Sequence, residues 1–298
     1  MSEAPSSAAP TSLWERARRW TWLRLVVMTF TLFAAYVGLQ LLALVFGLHP
    51  APAARMAIRI GDSALIAVCM PLAYLGLVRA FERRRVTELS LGRGAPLFWI
   101  GVVFGAALFA VVMSLLWRVG AASFAGAGRA HGVVVALVLA IAAAIGEEIV
   151  FRGALFRILE QGFGTLAATL VSGALFGLVH ALNPGANLVS TIAIALEAGV
   201  LLALVYAVVR NLWLPIGVHL GWNFTEGGVF SQAVSGGGSG SGLVAVRLHG
   251  PPWLSGGAFG PEASIIAVGV SLLASVLLAA WLIRTGGWRP ARLRATLD

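Results

Sequence analysis

The chain has 298 residues, 59% of them hydrophobic and only 11% charged, with a formal net charge of +9. Its mean hydropathy of +0.91 excludes an ordinary soluble domain, which needs far more polar surface, and points to an integral membrane protein.

Taken in chain order, residues 1–19 are rich in Ser, Ala, Pro and Arg and read as a disordered cytoplasmic tail. A hydrocarbon core of ~30 Å needs about 20 apolar residues per helix. That rule predicts eight spans at 20–47, 59–80, 96–118, 132–157, 165–182, 187–209, 212–231 and 261–283. The first is too long for a cleavable signal peptide and lacks a small-residue cleavage site, so it reads as a retained anchor. Between spans two and three, Arg79 to Arg93 reads as a basic cytoplasmic loop with a short interfacial helix. The longest loop, about 231–261, contains "SGGGSGSG", a flexible composition, and then "GPPWLSGG", whose Trp253 suits a membrane interface. Residues 286–298 read as a second cytoplasmic tail.

The apolar runs are helical in length, not the ten-residue alternations of a barrel. The predicted fold is therefore all-α: one polytopic helical bundle over 20–285, about eight transmembrane helices, both termini cytoplasmic. All 21 basic residues are arginine. In this topology fourteen are cytoplasmic (16, 18, 19, 79, 83, 84, 85, 93, 157, 210, 284, 289, 292, 294) and five external (55, 59, 118, 129, 247), with Arg24 and Arg152 inside spans. The asymmetry follows the positive-inside rule, so the basic excess is a topology signal, and no nucleic-acid partner is expected. The single cysteine, Cys69, allows no disulfide within the chain.

Charges inside the spans carry the chemistry. Span four holds Glu147, Glu148 and Arg152, span five "FGLVH" (Phe176–His180), span six Glu197, and span seven "HLGWNF" (His219–Phe224). Of five histidines, only His180 and His219 sit well inside spans; His49, His131 and His249 lie in loops or at span ends. Glu148 and Arg152 are four residues apart, as are His219 and Asn223, so each pair shares a helix face. Spans four and five meet at "QGFG". Glu147 lies fifteen residues before Gly162 and His180 sixteen after Gly164, which puts both ~22–24 Å from one turn and at similar depth in a hairpin. His219 is only about eight residues past Asn211, so span seven must begin deeper, with Pro215 in its first turn.

Each charge at the bilayer centre costs ~2.5–3.5 kcal/mol on insertion scales. Pairing Glu148 with Arg152 offsets much of this and leaves Glu147 as the surplus carboxylate, suited to general-base work. A Glu–Arg pair alone serves equally to fix helix packing, and a lone histidine or asparagine in a span is more often interhelical glue. Glu197 has no obvious partner and suits a water cavity or a helix contact. One surplus Glu, two His and one Asn on three helices together resemble an acid/base site with an oxyanion partner.

These residues resemble a known family. "EEIVFRG", then "FGLVH", then "LWLPIGVHLGWNF" are similar to the Glu-Glu-x-x-x-Arg, Phe-x-x-x-His and His-x-x-x-Asn motifs of the CAAX prenyl endopeptidase and bacteriocin-processing (CPBP, or Abi) intramembrane proteases. The resemblance covers a catalytic core of about 131–231, roughly a third of the chain. It implies peptide-bond hydrolysis within the membrane. Glu147 would activate water with help from His180, His219 and Asn223 would stabilise the oxyanion, and Glu148 with Arg152 would set the geometry. No H-E-x-x-H is present, and the metal-free reading is favoured. The alternative is a zinc site of Glu147, His180 and His219 with water as fourth ligand. The implied substrate is a membrane-associated protein or peptide, in the eukaryotic members a prenylated tail. The Arg-only, Ala/Gly-rich composition points to a GC-rich bacterial genome, where prenylated proteins are not expected, hence to the bacterial cytoplasmic membrane and a membrane-bound peptide or protein tail, with a lipidated CAAX-type substrate left open. Two rivals remain at this level. One is a non-catalytic scaffold or bacteriocin-immunity protein using the same cluster. The other is a transporter with Glu147, Glu197 and His180 as a relay, which no internal repeat supports.

Overall fold

The computed structural model describes residues 21–46, 52–237, 240 and 242–291. The tail at 1–19, His49, most of the second tail and part of "SGGGSGSG" lie outside the described residues. The chain is an integral, multi-pass helical membrane protein, and among the described residues six helical stretches are long and apolar enough to cross a membrane. These are Thr21–Leu42, Met56–Glu82, Leu91–Arg118, His131–His180, Leu188–Val209 and Ile265–Arg284.

The elements are α1 (Thr21–Phe46), α2 (Pro52–Leu77, running on as a π-helical turn Val78–Glu82), α3 (Leu91–Arg118) and β1 (Ala122–Ala127). Then come α4 (Ala130–Glu148, with the π-helical Ile149–Phe156), α5 (Arg157–His180), α6 (Leu188–Ile194, with the π-helical Ala195–Val200) and α7 (Leu201–Val209). The chain continues with α8 (Trp213–Asn223, with the π-helical Phe224–Val229), β2 (Val244–Leu248), α9 (Pro252–Ser255) and α10 (Ile265–Arg284).

All eight predicted spans fall on helix. The fourth and fifth are two arms of one 50-residue helical stretch that breaks at Gly164, where φ is 80° and ψ 173°. Only glycine takes that conformation readily. The 33 residues from Glu147 to His180 would span ~50 Å as straight helix, yet their side chains lie 3.8 Å apart. The arms therefore fold back as a hairpin. The seventh span is α8, an eleven-residue helix in which every residue from Pro215 to Asn223 is buried. Its depth comes from contact with α3. A Cβ on Gly101 would lie 2.4 Å from the Leu214 carbonyl, one on Gly105 2.0 Å from that of Val218, one on Gly217 2.2 Å from that of Phe98 and one on Gly221 2.1 Å from that of Val102. Glycines four apart on both helices bring the backbones into contact, the small-residue packing favoured in membranes.

Two features differ from expectation. No interfacial helix follows Glu82; residues 83–90 form an irregular segment held by ion pairs. Nor is the glycine-rich loop free chain over its described residues. The Gly236 N–H donates to the Phe259 carbonyl (2.8 Å), the Gly242 N–H donates to Ser231 Oγ (2.7 Å), and β2 pairs antiparallel with β1. Glycines permit these close backbone approaches, so here they serve packing rather than mobility.

The two ends of the bundle are unlike. Glycine-rich loops and the strand pair cap one end. The other gathers arginines that the sequence places on the cytoplasmic side. There Glu82 accepts from Arg84 (2.6 Å) and Arg157 (2.9 Å), Glu88 accepts from Arg84 (2.5 Å) and Tyr74, and Glu160 accepts from Thr165 (2.7 Å) and Arg210. Burial pushes the Glu88 carboxyl up, but hydrogen bonds from Arg84 and Tyr74 outweigh it and hold it at about 2.

Candidate active site

Glu147 and Glu148 end α4, and the π-helical turn after them presents Arg152. Arg152 Nη1 donates to Glu148 Oε1 at 2.8 Å, and both side chains are fully buried. Its Nη2 donates to the carbonyls of Ala198 and Gly199, 3.1 Å each. Those carbonyls belong to the π-helical segment Ala195–Val200, brought close because Gly173 and Gly199 leave no room for a Cβ between α5 and that segment. The guanidinium also lies 4.7 Å from the centre of the Phe176 ring. The predicted Glu148–Arg152 pair is thus present, and Arg152 also ties three helices together.

The histidines are oriented by their Nδ1 atoms. His180 Nδ1 faces the Phe176 carbonyl at 2.7 Å, and His219 Nδ1 faces Glu148 Oε1 at 3.1 Å. Both partners are acceptors, so Nδ1 carries the proton and Nε2 is left as the position that accepts or releases one. Both Nε2 atoms turn to Glu147 Oε2, His180 at 3.8 Å and His219 at 4.0 Å. Glu147 Oε1 accepts from Tyr36 at 3.2 Å, whereas Oε2 has no hydrogen-bond partner within the described residues. Asn223, one turn beyond His219 and 8% exposed, lines the same cavity. The structure therefore brings together all six residues singled out in the sequence.

The cavity has a volume of about 450 Å³, within the range of small-molecule and peptide pockets. Its wall also includes Tyr36, Asp62, Phe176, Glu197 and Glu262. Glu262 is satisfied by Trp222 Nε1 (3.1 Å) and by the Ser235 N–H (2.7 Å) and Oγ (2.8 Å). Glu197, 1% exposed, sits at the cavity with Oε2 unpartnered within the described residues. Sequence reasoning missed Tyr36. Its only signal was a polar-tipped aromatic in an apolar span, one of just three tyrosines in the chain.

A zinc ion bound by Glu147, His180 and His219 at ~2.0–2.1 Å would hold its ligand atoms ~3.3–3.5 Å apart. The observed separations of 3.8 and 4.0 Å are wider. Among the described residues no group of three His, Cys, Asp or Glu side chains converges as metal ligands do. As placed, these residues do not fit zinc. A water hydrogen-bonded at ~2.8 Å to each atom does fit the gap.

Residues 129–225, about a third of the chain and the stretch that holds all six site residues, match the model of a family described as type II CAAX prenyl endopeptidase Rce1-like. No curated protein and no solved structure matches. Over these residues the chain is thus similar to the Rce1-like domain of the CAAX-type intramembrane proteases, while the cavity wall contributed by α1 and α2, with Tyr36 and Asp62, lies outside the match.

Proposed function

We propose that the chain is an intramembrane endopeptidase that hydrolyses a peptide bond of a membrane-associated protein or peptide with a water held between Glu147, His180 and His219. The carrying observation is the free Oε2 of Glu147, set beside two imidazole Nε2 atoms on a cavity wall. Glu147 takes a proton from the water as its oxygen bonds to the scissile carbonyl carbon. The carbonyl oxygen becomes an oxyanion, stabilised by the Asn223 carboxamide and by His219, which enters the cycle as the imidazolium, donates from Nε2 and keeps that proton throughout. Glu148 supports that imidazolium from the Nδ1 side, as a carboxylate does in a hydrolase triad. The proton taken by Glu147, relayed by His180, passes to the leaving nitrogen. The C–N bond then breaks to give a carboxyl and an amine. Arg152 holds Glu148 in place and touches no substrate.

No metal takes part in these steps. Chelation of the purified protein followed by zinc add-back tests this: activity is expected to survive chelation, and loss restored by zinc overturns the metal-free form. The reading as a whole is tested by comparing membrane peptides from cells carrying the wild type and Glu147→Gln. A general base contributes ~10²–10⁴-fold, so cleavage products are expected to disappear in the variant while the protein accumulates normally. An unchanged peptide profile would leave a scaffold or immunity role as the better account.

A further inference from the structure

The cavity reaches only one end of the bundle. Its exposed lining residues are Gln40, Leu139 and Leu182, the last 89% exposed. Gln40 is nineteen residues along α1 from Thr21, and Leu182 is eighteen beyond the Gly164 turn. At 1.5 Å per residue both lie ~27–29 Å from the arginine-bearing end. No lining residue comes from 79–93, 157–165, 210–214 or 284–291, the segments that build that end. A second cavity of about 480 Å³, which shares Asn223, Leu139 and Val234 with the first, is lined by Arg59, His131 and Gln232, again at the opposite end.

The arginines orient this axis. Arg79, Arg83, Arg84, Arg85, Arg93, Arg157, Arg210, Arg284 and Arg289 belong to the closed end, against Arg59, Arg118, Arg129 and Arg247 on the side of the mouth. Juxtamembrane arginine is retained on the cytoplasmic side. The closed end is also sealed, with Glu82, Glu88 and Glu160 each held by arginine. A tail tethered to the cytoplasmic leaflet would have to pass this network and ~22 Å of packed helix to reach Glu147.

We infer that the cavity opens to the non-cytoplasmic face of the membrane, and that its substrate is an exported or membrane-spanning polypeptide offering its scissile segment from that face. The inference rests on the endopeptidase reading for what happens in the cavity, but the direction of opening does not.

The test uses the full chain with Cys69→Ser as background. Leu182→Cys places a thiol at the rim, and Thr285→Cys places one just past α10 at the closed end. Intact cells are treated with a membrane-impermeant maleimide, and lysed cells serve as the reference. Leu182→Cys is expected to label fully in intact cells and Thr285→Cys only after lysis. The reverse pattern, or equal labelling of both in intact cells, overturns the inference and leaves the protease reading standing. Alkylation at Leu182→Cys in intact cells is further expected to stop Glu147-dependent processing. Labelling that leaves processing intact overturns access through this rim. No Glu147-dependent processing in untreated cells means instead that the protease reading has failed.

Discussion

The two buried polar regions of this molecule use similar residues in opposite ways. At the closed end, Arg24, Arg84, Arg157, Arg210 and Arg289 meet Glu82, Glu88 and Glu160, and each carboxylate has at least two donors. Some ~14–18 Å deeper along the same arm, Arg152 and His219 both donate to Glu148 Oε1, and Oε2 of Glu148 and Oε2 of Glu147 have no hydrogen-bond partner among the described residues; of the two, Glu147 is the one on the cavity wall, facing two imidazole Nε2 atoms. Buried polar groups are nearly always satisfied, so an unpartnered carboxylate oxygen on a cavity wall marks a place suited to work other than folding. At the closed end each carboxylate is matched to arginine, as architecture requires; Glu147 is left short beside an opening, where chemistry can use it.

The sharpest way to break this contrast is Arg152→Leu. It strands a fully buried carboxylate and should destabilise the fold by ~3–5 kcal/mol, read from unfolding in detergent. The double change Glu148→Leu with Arg152→Leu should regain most of that stability without activity; a double variant as unstable as the single one argues that Arg152 acts through its carbonyl contacts instead. Next is Asn223→Ala, for which loss of an oxyanion donor predicts a ~10²–10³-fold fall in kcat with little change in KM. An unchanged kcat would remove Asn223 from the site. Tyr36→Phe deletes one hydrogen bond to Glu147, worth ~1.5 kcal/mol or about tenfold in kcat/KM; a loss of stability with kinetics intact would make Tyr36 purely structural. The smallest effect belongs to the closed end. The folded Glu88 carboxyl titrates at about 2, below its ordinary 4.5, so the folded state binds fewer protons. Its contribution is complete above pH 4.5 and fades as the pH falls toward 2. Thermal midpoints should drop over that window, and less so in Glu88→Gln.

Much of the site was legible because helical spacing is a strict ruler. The four-residue intervals and the equal distances of Glu147 and His180 from the "QGFG" turn fixed which faces meet before any coordinates. The Glu148–Arg152 pair followed from their four-residue spacing together with the cost of leaving either charge unpaired in the membrane. Partners from remote parts of the chain were not legible. Tyr36 approaches Glu147 across 111 residues, and β1 meets β2 across more than a hundred, so no local pattern announces either. The π-helical turns at 149–156 and 195–200 were also invisible, since no residue type favours one extra residue per turn. They matter because the second carries the Ala198 and Gly199 carbonyls that accept from Arg152. The glycine-rich loop misled because composition reports how freely a chain moves in isolation, not whether neighbours close around it.

The glycine seam between α3 and α8 has a mechanical corollary. With main chain touching main chain at four places, the strut bearing His219 and Asn223 cannot roll or slide without a steric collision. A polypeptide that widened the chamber would therefore push more easily against α1 and α2, whose outer flanks at Phe30, Leu41, Leu65 and Leu72 are exposed. One jaw is thereby braced and the other free: on the proposed mechanism His219 and Asn223 would stay put while the wall that carries Tyr36 gives way.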